Sequence, residues 1–156
     1  MPSSIGTTIK QTKPFASLEQ EVSLTLERLT NDLGAELAEV LKVAGVTAAQ
    51  YNVLRILRGA GEGGLACSEI GERMVTRDSD ITRLLDRMEK SSLVSRMRDT
   101  DDRRVVKAHI TKEGLDILAE LDTPVMDLHR RQLGHLSEEK LKKLLALLEE
   151  ASPKVN

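Results

Sequence analysis

Between Cys67 and Thr111 the chain reads as two short helices followed by a two-stranded hairpin, and the hairpin tip is Asp99-Thr100-Asp101-Asp102-Arg103-Arg104. A helix pair followed by a basic-tipped hairpin is a shape that sets a helix into the major groove of DNA and a loop into the groove beside it. Little else in the sequence is chemically specific, so this stretch limits the fold more than any other.

The charge distribution points the same way. The net charge of −2 argues against a polyanionic partner until it is divided along the chain. Residues 73–107 hold 10 Lys and Arg against 7 Asp and Glu, whereas the remainder holds 13 against 18. Positive charge is therefore gathered where the shape suggests DNA. Phe15 and Tyr51 are the only aromatics, which leaves no stacking platform for single strands. Duplex DNA is the polymer that fits.

Periodicity outlines the rest. Residues 1–16, rich in Ser, Thr and Gly, read as a flexible arm without the apolar core of a signal peptide. From Ser17, apolar residues recur at Leu18, Val22, Leu26, Leu29, Leu33, Leu37 and Leu41, the spacing of one long helix that Gly45 closes. Ser17 with Gln20 forms its capping box. Thr47 caps a second helix that turns Tyr51, Leu54, Ile56 and Leu57 inward. A short helix follows over about Ser68–Met74, then another over about Ser79–Lys90 with Asp78 as its expected cap. That helix puts Ile81, Leu84, Leu85 and Met88 on one face. The opposite face carries Ser79, Arg83 and Asp86, flanked by Asp80, Thr82 and Arg87. Leu93–Arg98 and Val105–Ile110 alternate as paired strands.

Thr111 opens a long helix with the stripe Leu115, Leu118, Leu121, Val125, Leu128 and Leu133, which Pro124 is expected to kink. Ser137 caps a last helix carrying Leu141, Leu144, Leu145 and Leu148. The first long helix and the last two all bear apolar stripes, and a second copy of the chain is the economical partner for them. The expected organisation is an arm (1–16), a first dimerisation helix (17–46), a projecting lobe (47–110) and C-terminal dimerisation helices (111–152).

The run Met74-Val75-Thr76-Arg77-Asp78-Ser79-Asp80-Ile81-Thr82-Arg83-Leu84-Leu85-Asp86-Arg87-Met88-Glu89-Lys90, with Leu93-Val94, the Asp99–Arg104 tip and Ile110-Thr111 followed by Gly114, closely resembles the MarR family of bacterial transcriptional regulators. The resemblance extends over roughly residues 17–150. It implies a mainly α, homodimeric winged helix-turn-helix protein of the cytoplasm, usually a repressor on a pseudo-palindromic operator, often released by a small aromatic or phenolic ligand or by thiol oxidation. Carried onto matching positions, it makes 79–90 the recognition helix, with Arg77, Ser79, Asp80, Thr82 and Arg83 at DNA. It makes Arg104 the wing arginine of the minor groove, with Arg103 beside it on phosphate. Asp102 would hold Arg104 extended, and Asp99 would tie the base of the wing. Ser91-Ser92 stands where many relatives end the recognition helix with glycine.

The residue chemistry agrees with these roles. Arginine suits the negative potential of a narrow minor groove, and Arg83 can read guanine bidentately. Asp80, an acid facing DNA, would accept from a cytosine amine or repel phosphate. Arg87 is expected to pair with Asp86, Glu89 or a wing acid. Cys67 reads as a small apolar residue or a redox-sensing thiol, Tyr51 as a core residue or the lining of a ligand cleft. His109, His129 and His135 are too scattered for a metal set, and no nucleophile–base pair or phosphate loop argues for an enzyme. The other reading is a ligand- or redox-sensing module that acts through protein contacts.

Overall fold

The computed structural model describes residues 4–75 and 80–153. In chain order the elements are α1 (Ser4–Thr8), α2 (Leu18–Lys42), α3 (Ala48–Ala60), β1 (Leu65–Ala66), α4 (Cys67–Arg73), α5 (Ile81–Lys90), β2 (Val94–Arg98), β3 (Val106–Ile110), α6 (Lys112–Leu133) and α7 (Glu138–Ala151). The three strands form one antiparallel sheet in the order β1-β3-β2. In the hairpin, Val94 faces Ile110 and Arg98 faces Val106.

Local chemistry sets most boundaries. Ser17 Oγ accepts from Gln20 N, and the Gln20 side chain reaches back to Ala16 N, one residue beyond the expected box. Thr47 and Gln50 complete a reciprocal box at the start of α3. Thr111 Oγ1 accepts from Gly114 N while donating to Ser92 O at 2.6 Å, so one hydroxyl both caps α6 and pins the end of the preceding turn. Gly114 is required there for space: a Cβ would meet Leu93 O at 2.6 Å. Pro124 lies inside α6, which continues through it to Leu133.

Three expectations need correction. Ser4–Thr8, read as part of a flexible arm, is helical, because Ile5 finds burial at 7% exposure where α1 packs on α2. The hairpin gains β1, whose two residues pair with Ala108 and Lys107 and are too few for alternation to show. Leu115 is 42% exposed, and Gly114 takes the place on the buried face of α6 that its stripe assigned to leucine.

The core lies within the lobe, built from Val53, Leu54, Leu57, Ile70, Leu84, Leu85, Met88, Val94 and Ala108, and it extends onto Leu41 of α2 and Leu118 and Leu121 of α6. Tyr51 belongs to it, which settles that residue as core, with the Arg55 guanidinium 5.9 Å from its ring centroid. Arg58 grips Asp122 with both terminal nitrogens at 2.9 Å and so ties the lobe to α6. Such an exposed pair is worth at most about 1 kcal/mol, so packing carries the junction. Along α2 the stripe changes character. Leu41 is fully buried, yet Leu18, Val22, Leu26 and Leu29 are exposed, as are Leu145, Leu147 and Leu148 of α7. No helix among the described residues is long and apolar enough to cross a membrane.

The end of α5 carries a strain the sequence foreshadows. Leu93 N donates to Met88 O and Ser92 N to Glu89 O, the paired bonds of a Schellman turn, and Ser92 sits at φ +60. A side chain in that region costs about 1 kcal/mol, which glycine avoids. Ser92→Gly should therefore raise stability by about 1 kcal/mol in urea unfolding; an unchanged or lowered midpoint would contradict the strain.

Candidate nucleic-acid interface

Helix α5 buries Leu84, Leu85 and Met88, which turns Thr82, Arg83 and Arg87 outward. Its first turn differs from the expectation. The helix begins at Ile81, and Asp80 rather than Asp78 is the cap, accepting from Arg83 N at 3.0 Å. The same carboxylate pairs with Arg83 Nε at 3.2 Å. Asp80 is thus occupied with the helix end and with aiming Arg83, whose side chain stays 80% exposed. The expected contacts Arg77 and Ser79, and Asp78 with them, lie outside the described residues. Thr82 is exposed, but its hydroxyl is 3.7 Å from Cys67 Sγ, so it turns partly toward the start of α4.

The wing tip is organised by its two carboxylates. Asp102 accepts from Arg104 N at 3.0 Å, from Nε at 3.1 Å and from Nη2 at 3.2 Å. The Arg104 side chain is nevertheless 91% exposed, a cation steadied without being covered. Asp99 accepts from Asp102 N and pairs with Lys107 Nζ at 3.0 Å, closing the base of the loop. Arg98 donates to Arg103 O at 2.8 Å, leaving the Arg103 side chain exposed. Lys107 was not singled out from the sequence. Its signal is its place on the strand returning from a tip whose acids need a cation nearby.

A second omission is larger. Asp86 and Glu89, expected to serve Arg87, are both taken by Arg96 of β2, at 2.6 and 2.7 Å. Strand alternation puts Arg96 on the same face as buried Val94, facing α5, whereas Arg87 on the outer face of α5 cannot reach across. The Glu89 carboxyl is held below the usual range by its bonds from Arg96. Between α5 and the hairpin lies a cavity of about 410 Å³, lined by Cys67, Thr82, Leu85, Arg96, Val106 and Ala108. No cluster of three or more His, Cys, Asp or Glu among the described residues could hold a metal ion.

Helices α4 and α5, with a three-stranded sheet ending in this loop, define a winged helix-turn-helix protein. The MarR family model matches residues 46–106, the lobe just described. Over 129 residues the chain is 35% identical to the transcriptional repressor MdtR of Bacillus subtilis (strain 168), spanning 83% of this chain and 82% of that protein. A MarR transcription factor from Planctomyces limnophilus, of known structure, is 40% identical with a TM-score of 0.66, over 87% of this chain and 98% of that one. A mutant MarR from E. coli, solved in complex with operator DNA, is 25% identical with a TM-score of 0.78, over 88% and 100%. The chain belongs to the MarR family. It is a transcriptional regulator and not an enzyme.

The wing makes a pH prediction. Lys107 holds the Asp99 carboxyl below its usual range, and Arg104 does the same for Asp102. Both are ionised above the ordinary aspartate value and keep their grip there; the grip is lost only as the pH falls through the lowered values. Carboxyl NMR titration should find both midpoints below the ordinary value of 3.8. Lys107→Gln should raise that of Asp99, and an Asp99 midpoint already at 3.8 in the unaltered protein would contradict the pairing.

Proposed function

We propose that the protein is a homodimeric repressor that sets two α5 helices into successive major grooves of a pseudo-palindromic operator, about 10 base pairs apart, and an Arg104 into the minor groove beside each. The observation that carries this reading is the Asp102–Arg104 clamp, a nearly fully exposed guanidinium held at two points, with the Arg104 backbone N–H bonded to the same carboxylate. A free arginine would lose side-chain entropy on entering a groove, and the clamp has removed part of that cost beforehand. Arg83, aimed by Asp80, reads a base edge or phosphate, and Thr82, Arg103 and the flanking Arg77 and Ser79 add contacts that set register. Asp80 acts through Arg83 rather than through a base of its own.

Support for the dimer comes from the exposed leucines of α2 and α7, an apolar surface that a soluble monomer rarely leaves bare. In a dimer the two lobes share one spacing, and an effector preferring another spacing would release the operator. A small aromatic acid or phenol is the class of effector expected to act in this way. A repressor of this kind works in the cytoplasm and occludes a promoter.

The test is binding to the intergenic DNA upstream of its own gene against random duplex, with salt varied. Sequence-preferring binding with a steep negative salt slope is expected. Arg104→Ala should cost about 1–3 kcal/mol on the preferred duplex while leaving the fold intact. Unchanged affinity in that variant would refute the wing assignment.

A further inference from the structure

The wing projects beyond its support. Strand β1 reaches only as far as Ala108 and Lys107, so the turn from Asp99 to Val105 has no neighbouring strand. On the α5 side a cavity of about 410 Å³ is lined by Thr82 and Leu85 of the helix and by Arg96, Val106 and Ala108 of the hairpin, so packing alone does not fix the angle of the outer hairpin. Among the described residues, a fork from Arg96 crosses from hairpin to helix at that level. Arg96 Nη2 donates to Asp86 Oδ1 at 2.6 Å and to Glu89 Oε2 at 2.7 Å, Nε donates to Glu89 Oε2 at 3.1 Å, and Arg96 N donates to Glu89 Oε1 at 3.3 Å.

We infer that Arg96 is a positioning residue for DNA recognition, its fork onto Asp86 and Glu89 fixing the angle between wing and recognition helix so that Arg104 and Arg83 arrive at neighbouring grooves together. The inference rests on the DNA reading above. Arg96 is suited to tethering rather than contact: its side chain is 27% exposed, against 80% for Arg83 and 91% for Arg104. The planar guanidinium reaches two carboxylates one helical turn apart, which a lysine ammonium on a flexible stem cannot hold in fixed directions. The carboxylates also gain a role that direct contact could not give them, since acids near phosphate repel it.

The decisive variant is Glu89→Gln, because electrostatics and positioning predict opposite signs for it. Removing a negative charge near DNA should tighten binding if charge alone matters; loosening the tether should weaken it. Affinities are measured on the duplex that the unaltered protein selects from a random-sequence library, and on random duplex. Glu89→Gln and Arg96→Lys are each expected to weaken selected-duplex binding roughly tenfold, with random-duplex affinity and melting temperature nearly unchanged. In an Arg104→Ala background the same changes should cost about twofold or less, because no tip arginine is left to be aimed. Equal losses with and without Arg104, or unchanged or tighter binding by Glu89→Gln, would overturn the role while leaving the DNA reading standing. If the unaltered protein selects no sequence, the DNA reading fails and this role fails with it.

Discussion

Burial of Leu84, Leu85 and Met88 sets the roll of α5 about its own axis, and the arrangement of the interface follows from that roll. Each of these side chains contributes about 1.5–3 kcal/mol by leaving water, more than any exposed ion pair in the lobe could offset. With that face committed to the core, Arg83 has no direction but outward, and Asp86 and Glu89 come to lie along the edge beside β2. The Schellman turn at Ser91-Ser92 then delivers the chain into the hairpin, and Thr111 closes the unit by bonding Ser92 O across the start of α6. Helix α5, turn and hairpin are thus packed into one body, with a cavity under the outer hairpin.

Electrostatics refines what packing places. The wing and the helix beside it carry acids in a region proposed for a polyanion, and four of them are spent on cations: Asp99 on Lys107, Asp102 on Arg104, Asp86 and Glu89 of α5 on Arg96. Asp80 follows the same rule with Arg83. The paired acids trade some attraction for orientation. Diffuse positive charge binds DNA without regard to sequence, whereas oriented arginines can discriminate. That division matches a lobe whose charge excess is modest but whose cations are held in place.

Much of this was legible in the residues. The caps at Ser17, Thr47, Thr111 and Ser137 were readable because a hydroxyl before an apolar-periodic run has one local use, and the helices they open begin where expected. The cap of α5 was expected at Asp78, and the structure puts it at Asp80, where the carboxylate accepts from Arg83 N. Strand β1 was invisible because two residues have no period, and its existence depends on β3 lying beside it. Arg96 was missed for a related reason. Alternation tells which way a strand residue faces but not which helix carboxylates wait opposite, and Glu89 is seven residues away in sequence. Arg87 is nearer to Asp86 and Glu89 along the chain, but it is Arg96 that bonds both. The exposure of Leu115 has the same origin: it shares a period with the core stripe but lies off its centre.

The central claim is that helix and wing read duplex DNA as one body, twice per dimer. The most direct measurement is chemical footprinting of the protein on the duplex it selects, with guanine N7 methylation probing the major groove and hydroxyl radicals probing the minor groove. Two major-groove protections about 10 base pairs apart, each flanked outward by a minor-groove protection, are the predicted pattern. Protection confined to one groove, or a single unpaired site, would contradict the account.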